Sequence, residues 1–172
     1  MESLDVVLVD RQRLAHLGPC TMQALARETL GAAVARALQR PFVRISVSGS
    51  SDAGEIKGVS RTLPGAQPGK LVRAVREAGV RNPVLMIDGV DRLLGEGGLG
   101  VSEALLELLD PETSASFVDH YLGLPVDLSH AVLLLCANVI DMIPDPLLER
   151  IEVIEVPGYS EDEKLEIARR YL

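Results

Sequence analysis

The sequence predicts an α/β fold: a three-layer, mostly parallel sheet with helices on both faces. Two observations carry that reading. The runs Val84-Leu85-Met86-Ile87 and Leu133-Leu134-Leu135 are continuously apolar, as strands buried on both faces are. Segments with helical spacing fall between strand-like runs, the pattern of a parallel sheet joined by crossover helices. A length of 172 residues suits one domain or somewhat more, and 47% hydrophobic content supplies a sizeable core. Only 3% of residues are aromatic, so Leu, Val, Ile and Ala build that core.

The elements follow in order. Val6-Val7-Leu8-Val9 reads as a strand or as part of a lead-in segment. Met22 to Leu38 carries an apolar stripe at helical spacing through Leu25, Ala26, Ala33, Val34 and Ala37. Pro41 closes the turn after it, and Phe42 to Val47 is a strand. Ser48 to Gly69 is polar and bears Gly and Pro, so a long loop is expected there, and loops of that length are often functional. Lys70 to Ala78 is a short helix ahead of the Val84 strand. Ser102 to Leu109 is a helix that must stop before Pro111. Ala131 to Cys136 is a buried strand, Pro146 to Arg150 a helical turn, and Glu152 to Val156 a last strand. Ser160-Glu161-Asp162-Glu163 forms a capping box that opens a helix.

Bulk properties narrow the function. No apolar run approaches a membrane span, and the N-terminus lacks the basic-then-apolar order of a signal peptide. A formal charge of −8 repels phosphate backbones, so neither a membrane nor a nucleic-acid partner is expected. Cys20 and Cys136 lie far apart and read as reduced core thiols of a cytoplasmic protein. His16, His120 and His130 show no ligand spacing, so no metal site is expected. There is no G-x-S-x-G and no recognisable Ser/Lys pairing, so no catalytic residue is assigned within the chain.

The chemistry concentrates at the end of the Val84 strand. Asp88 is delivered to the C-terminal edge of the sheet, where open α/β sheets bind ligands. Around it stand Arg40-Pro41-Phe42-Val43-Arg44-Ile45-Ser46, Glu55-Ile56-Lys57-Gly58, Arg61-Thr62, and Pro68-Gly69-Lys70. Further along come Ala104-Leu105-Leu106-Glu107-Leu108-Leu109-Asp110-Pro111-Glu112, Asp119-His120-Tyr121-Leu122, Pro146 to Ile154, and Gly158 to Lys164. In these segments the chain resembles the AAA+ ATPase-type α/β domain of Lon proteases, over roughly three quarters of its length. That resemblance implies a P-loop-type core, assembly as a homohexamer, and unfolded polypeptides as substrates of a serine–lysine peptidase domain outside this chain. It also divides the chain into a lead-in segment over 1–20, the α/β domain over 21–159, and over 160–172 the start of a helix leading to a lid subdomain.

The departures from the family pattern define the functional expectation. The phosphate loop G-x-x-x-x-G-K-[ST] falls, aligned back from Arg40, on Thr21 to Glu28. Its two glycines become Thr21 and Ala26, with Ala24 between them where Lon carries a further glycine, its lysine becomes Arg27 and its hydroxyl Glu28. A carboxylate at the last position meets phosphate as a like charge, worth about 4 kcal/mol at ~4 Å and an effective dielectric of 20. The glutamate that polarises the attacking water in the family falls on Gly89. Asn138 matches the sensor and Arg150 the arginine finger. Their plain readings are a capping or turn residue for Asn138 and, for Arg150, a salt bridge across a subunit interface with partners of the Glu149 or Asp91 type; Asp88 then caps or hydrogen-bonds the strand end rather than holding Mg²⁺. The family's pore loop falls on Arg61 to Gly65, with its aromatic replaced by Leu63 and the next aliphatic by Pro64. Those residues form a fixed apolar rim or a tip packed on its own domain.

The function expected is a non-hydrolysing AAA+-like module of an ATP-independent Lon-like protease, needing no cofactor. It would build the ring and gate access of unfolded chains to the peptidase. The alternatives are an ATP-binding motor domain of an ATP-dependent Lon protease and a non-enzymatic ring scaffold.

Overall fold

Alternate residues of the two central strands enter two different cores. In β3 (Val84–Asp88), Leu85 and Ile87 face one side while Val84 and Met86 face the other. In β6 (Val132–Ala137), Leu133 and Leu135 join the first core, and Val132, Leu134 and Cys136 the second. The period of two along a strand sends successive side chains to opposite faces, so a continuous apolar run supplies both layers at once. Each fully buried Leu of this kind contributes about 1.5–3 kcal/mol relative to exposure.

The computed structural model describes residues 5–10, 27–46, 53–93, 99–137 and 139–156. The phosphate-loop positions Thr21, Ala24 and Ala26, the sensor-like Asn138, and the capping box at Ser160 lie outside the described residues. For Arg27 and Glu28 the backbone alone is described; both open the helix α1 (Arg27–Ala37).

The main sheet has the order β2-β3-β6-β1-β7, with β1 at Asp5–Asp10, β2 at Phe42–Ser46 and β7 at Ile151–Val156. β2, β3 and β6 pair in parallel. β1 is antiparallel to both β6 and β7, so β7 runs in the same direction as β6. Helices cover both faces, as expected. α1 lies over the second core through Leu30, Val34 and Ala35. The first core is covered by α2 (Gly54–Lys57), α3 (Lys70–Ala78), α5 (Leu99–Leu109) and α7 (Asp145–Leu148) through Ile56, Leu71, Leu105 and Leu147. α4 (Val90–Leu93) and α6 (Pro111–Ser114) are single turns beside them.

Three features depart from the sequence reading. The segment offered as a strand or a lead-in is a strand inside the sheet, and it is reversed. Val6 lies opposite Ala137 and Asp10 opposite Ile151, so the chain leaves β1 at the edge opposite the one that carries Asp88. The stretch expected to be a loop from Ser48 to Gly69 contains α2 and an antiparallel bridge between Val59 and Gln67. Ile56, fully buried, anchors that segment to the core. A small antiparallel ribbon, β4 (Phe117–Asp119) with β5 (Leu124–Val126), also escapes the sequence reading, because strands of three residues carry too little pattern.

Candidate functional site

At the ligand edge of the sheet Ser46, Asp88 and Cys136 stand in register on adjacent strands. Asp88 is bound from within the chain: Arg44 Nη2 donates to its Oδ2 at 2.5 Å. Asp88 is thus ion-paired with the neighbouring strand. Gly89 follows with φ +82°, and its N–H donates to the Cys136 carbonyl at 3.0 Å. That backbone conformation costs an L-residue roughly 1–2 kcal/mol, so the position suits glycine on backbone grounds as well as lacking a side chain. Asp91, two residues on, is buried at the start of α4.

The second region is the segment between α2 and α3. The bridge Val59–Gln67 closes a loop whose tip holds Leu63 and Pro64. Leu63 is 57% exposed, so the tip is not packed on its own domain. Its turns are local: Leu63 N–H donates to the Ser60 carbonyl at 3.0 Å and Ala66 N–H to the Leu63 carbonyl at 3.2 Å. The fixed base beneath this tip is a feature that sequence reasoning missed. Asp119, fully buried, accepts the Gly69 N–H at 2.7 Å on Oδ2 and the N–H groups of Tyr121 and Leu122 on Oδ1 at 3.0 and 2.9 Å. His120 N–H donates to the Lys57 carbonyl at 2.7 Å. The Arg61 guanidinium lies 4.8 Å from the centre of the Tyr121 ring, a cation–π contact between loop and ribbon turn. Lys57 is ion-paired with Glu107, and Lys70 with Glu55 at 2.8 Å. The motif Asp119-His120-Tyr121-Leu122 was the available signal, but nothing in it says that its acid reaches back across fifty residues to Gly69.

Arg150 has a partner within the chain. Its Nη1 donates to Asp110 Oδ2 at 2.8 Å. Asp110 is already the N-cap of α6, accepting from Glu112 N and Thr113 N on Oδ1, with Pro111 in the first turn. The Arg150 hydrogen bond and then the two capping N–H groups hold the Asp110 carboxyl below the usual carboxylate range. A lowered folded-state pKa favours the fold above the ordinary carboxylate value, and that contribution is lost as pH falls through the folded value. Arg150→Ala is expected to raise the Asp110 pKa toward the ordinary range. Titration of its carboxyl carbon by NMR reads this, and an unmoved midpoint would reject the pair.

Comparison with known proteins fits this architecture. The family described as ATPase family associated with various cellular activities (AAA) matches residues 27–159. The chain belongs to the AAA family. This AAA domain is 52% identical over 149 residues to Lon protease homolog 1, mitochondrial, of Arabidopsis thaliana, covering 86% of the chain and 16% of that protein. It is 51% identical over 148 residues to Lon protease of Halothermothrix orenii, covering 86% and 19%. Against Lon protease homolog, mitochondrial, of Drosophila melanogaster the identity is 50% over 149 residues, covering 86% and 14%. It is thus an AAA domain closely related to the corresponding segment of Lon proteases, and it spans only 14–19% of these relatives' lengths. The family match begins at Arg27, which leaves the positions aligned with the phosphate-loop glycines outside it.

Proposed function

We propose that this AAA domain is a non-hydrolysing module of an ATP-independent Lon-like serine protease. In that role it builds the ring and gates access of unfolded polypeptides to a peptidase domain outside the chain. The observation that carries the reading is Gly89, which stands in a left-handed backbone conformation where the motor's glutamate belongs. Asp88, beside it, has its charge met by Arg44 rather than left open to a cation. The reversed β1 adds support, because a phosphate loop needs a strand that ends at the ligand edge, and β1 ends at the other one. Gly89 in place of the glutamate and the Arg44–Asp88 ion pair both weigh against a bound magnesium nucleotide.

In this reading the domain's contribution is geometric. The base at Asp119 holds the loop, and Leu63 and Pro64 present a stiff apolar tip to chains that expose hydrophobic residues. Leu63→Asp in the protein carrying the peptidase domain is expected to slow degradation of an unfolded polypeptide about tenfold while sparing a short peptide. Equal rates on the unfolded substrate would reject the role of the loop. The same protein is expected to degrade that substrate equally fast with and without ATP; stimulation by ATP would instead favour the motor reading that the family description suggests.

A further inference from the structure

We propose that the groove between β2 and α3 binds an extended acidic polypeptide segment, which adds to the edge of the sheet as a further strand. β2 is the outermost strand on its side and, among the described residues, pairs only with β3. α3 packs on the face of β2 that carries Val43 and Ile45, through Leu71 and Ala74. Between the helix and the strand edge lies a groove of about 480 Å³, with residues 43–46 along one side and Lys70, Arg73, Arg76 and Glu77 along the other. A groove between an edge strand and a helix is the geometry in which extended peptides bind. Main-chain hydrogen bonds to the open edge supply affinity, and side chains under the helix supply specificity.

The charge selects the occupant. The chain carries a net charge of −8, yet among the described residues Glu77 is the one acid lining this groove, against the cations Arg44, Lys70, Arg73 and Arg76. Arg44 and Lys70 are already engaged, by Asp88 and by Glu55 together with the Ser46 carbonyl. Arg73 and Arg76, one turn apart on α3, make no hydrogen bond or ion pair among the described residues. In an added strand every second side chain would point toward α3, so acids at alternate positions bring carboxylates to these two guanidinium groups. A bare anion would use the guanidinium groups but not the strand edge, and that difference is measurable. The proposal does not depend on the nucleotide state of the domain.

The test uses the 172-residue chain and fluorescein-labelled octapeptides, read by anisotropy. A peptide alternating Glu and Val is expected to bind, and its Lys–Val counterpart is not. The double variant Arg73→Gln, Arg76→Gln is expected to weaken binding about tenfold with an unchanged circular dichroism spectrum. N-methylation of alternate amides in the Glu–Val peptide, which leaves the protein untouched, is expected to abolish binding. Three results would overturn the proposal: no binding of the Glu–Val peptide, equal binding of the Lys–Val peptide, or full binding of the N-methylated peptide. Displacement by tripolyphosphate together with indifference to N-methylation would make the groove a simple anion site.

Discussion

Asp119→Ala is expected to remove about 4 kcal/mol of folding stability, a large share of the roughly 5–15 kcal/mol that holds a typical domain. The carboxylate is fully buried, and its two oxygens accept three backbone N–H groups, from Gly69, Tyr121 and Leu122. Truncation leaves all three donors without a protein partner; the Gly69 N–H is buried and the other two are half-buried, and an orphaned buried donor costs about 1–3 kcal/mol. The loss is concentrated where two separate pieces of chain meet, the loop before α3 and the turn of the β4–β5 ribbon. Urea unfolding measures the effect directly. A loss below about 1 kcal/mol would mean that Asp119 does not hold these segments together.

The second large effect is expected at Gly69, on the other side of the same contact. Gly69 has an ordinary extended conformation, φ −60° and ψ 153°, so alanine meets no backbone penalty there. The constraint is space. A Cβ on Gly69 would overlap the carbonyl oxygen of Ile56 and lie 2.9 Å from both Asp119 Oδ2 and Gly58 N. Two of these three neighbours are backbone, and they belong to the segment that the fully buried Ile56 fixes to the core. Gly69→Ala is therefore expected to cost about 2–4 kcal/mol, in the range of strained or overpacked sites. It should also speed amide hydrogen exchange across residues 58–68, because the loop base must open to admit the methyl group. Wild-type stability with unchanged exchange would show that Gly58 and Gly69 are not the tight seam described.

The sheet and the site differ in how much of them the sequence carries. β3 and β6 were legible because each is apolar on both faces, and burial on both sides is written residue by residue. α3 was legible because its apolar and charged positions separate at helical spacing. The direction of β1 was not legible: Val6 to Val9 is apolar whichever way it runs, and direction is set by pairing with β6 and β7, more than 120 residues away. The same limit hid the partner of Arg150. Local spacing gives no sign of Asp110, which the fold brings to Arg150 from 40 residues upstream. At Gly89 the missing side chain could be read from the motif, but the positive φ that also suits glycine there could not. Asp119 looked like one residue of a family motif, and its importance appears only when Gly69 arrives beside it.

These elements divide the domain into two parts with different prospects. At the edge that carries Asp88 and Gly89, the charge of Asp88 is met by Arg44. The loop at Leu63 keeps a built and anchored base. The proposed passive gate needs the anchored loop and no fuel site. The most direct measurement is calorimetric titration of the chain with ATP and with ADP in the presence of Mg²⁺. The account predicts no heat of binding, and no shift in the thermal midpoint, up to millimolar nucleotide. Micromolar binding would contradict it, returning Asp88 and Asn138 to a working nucleotide site and making the domain a motor.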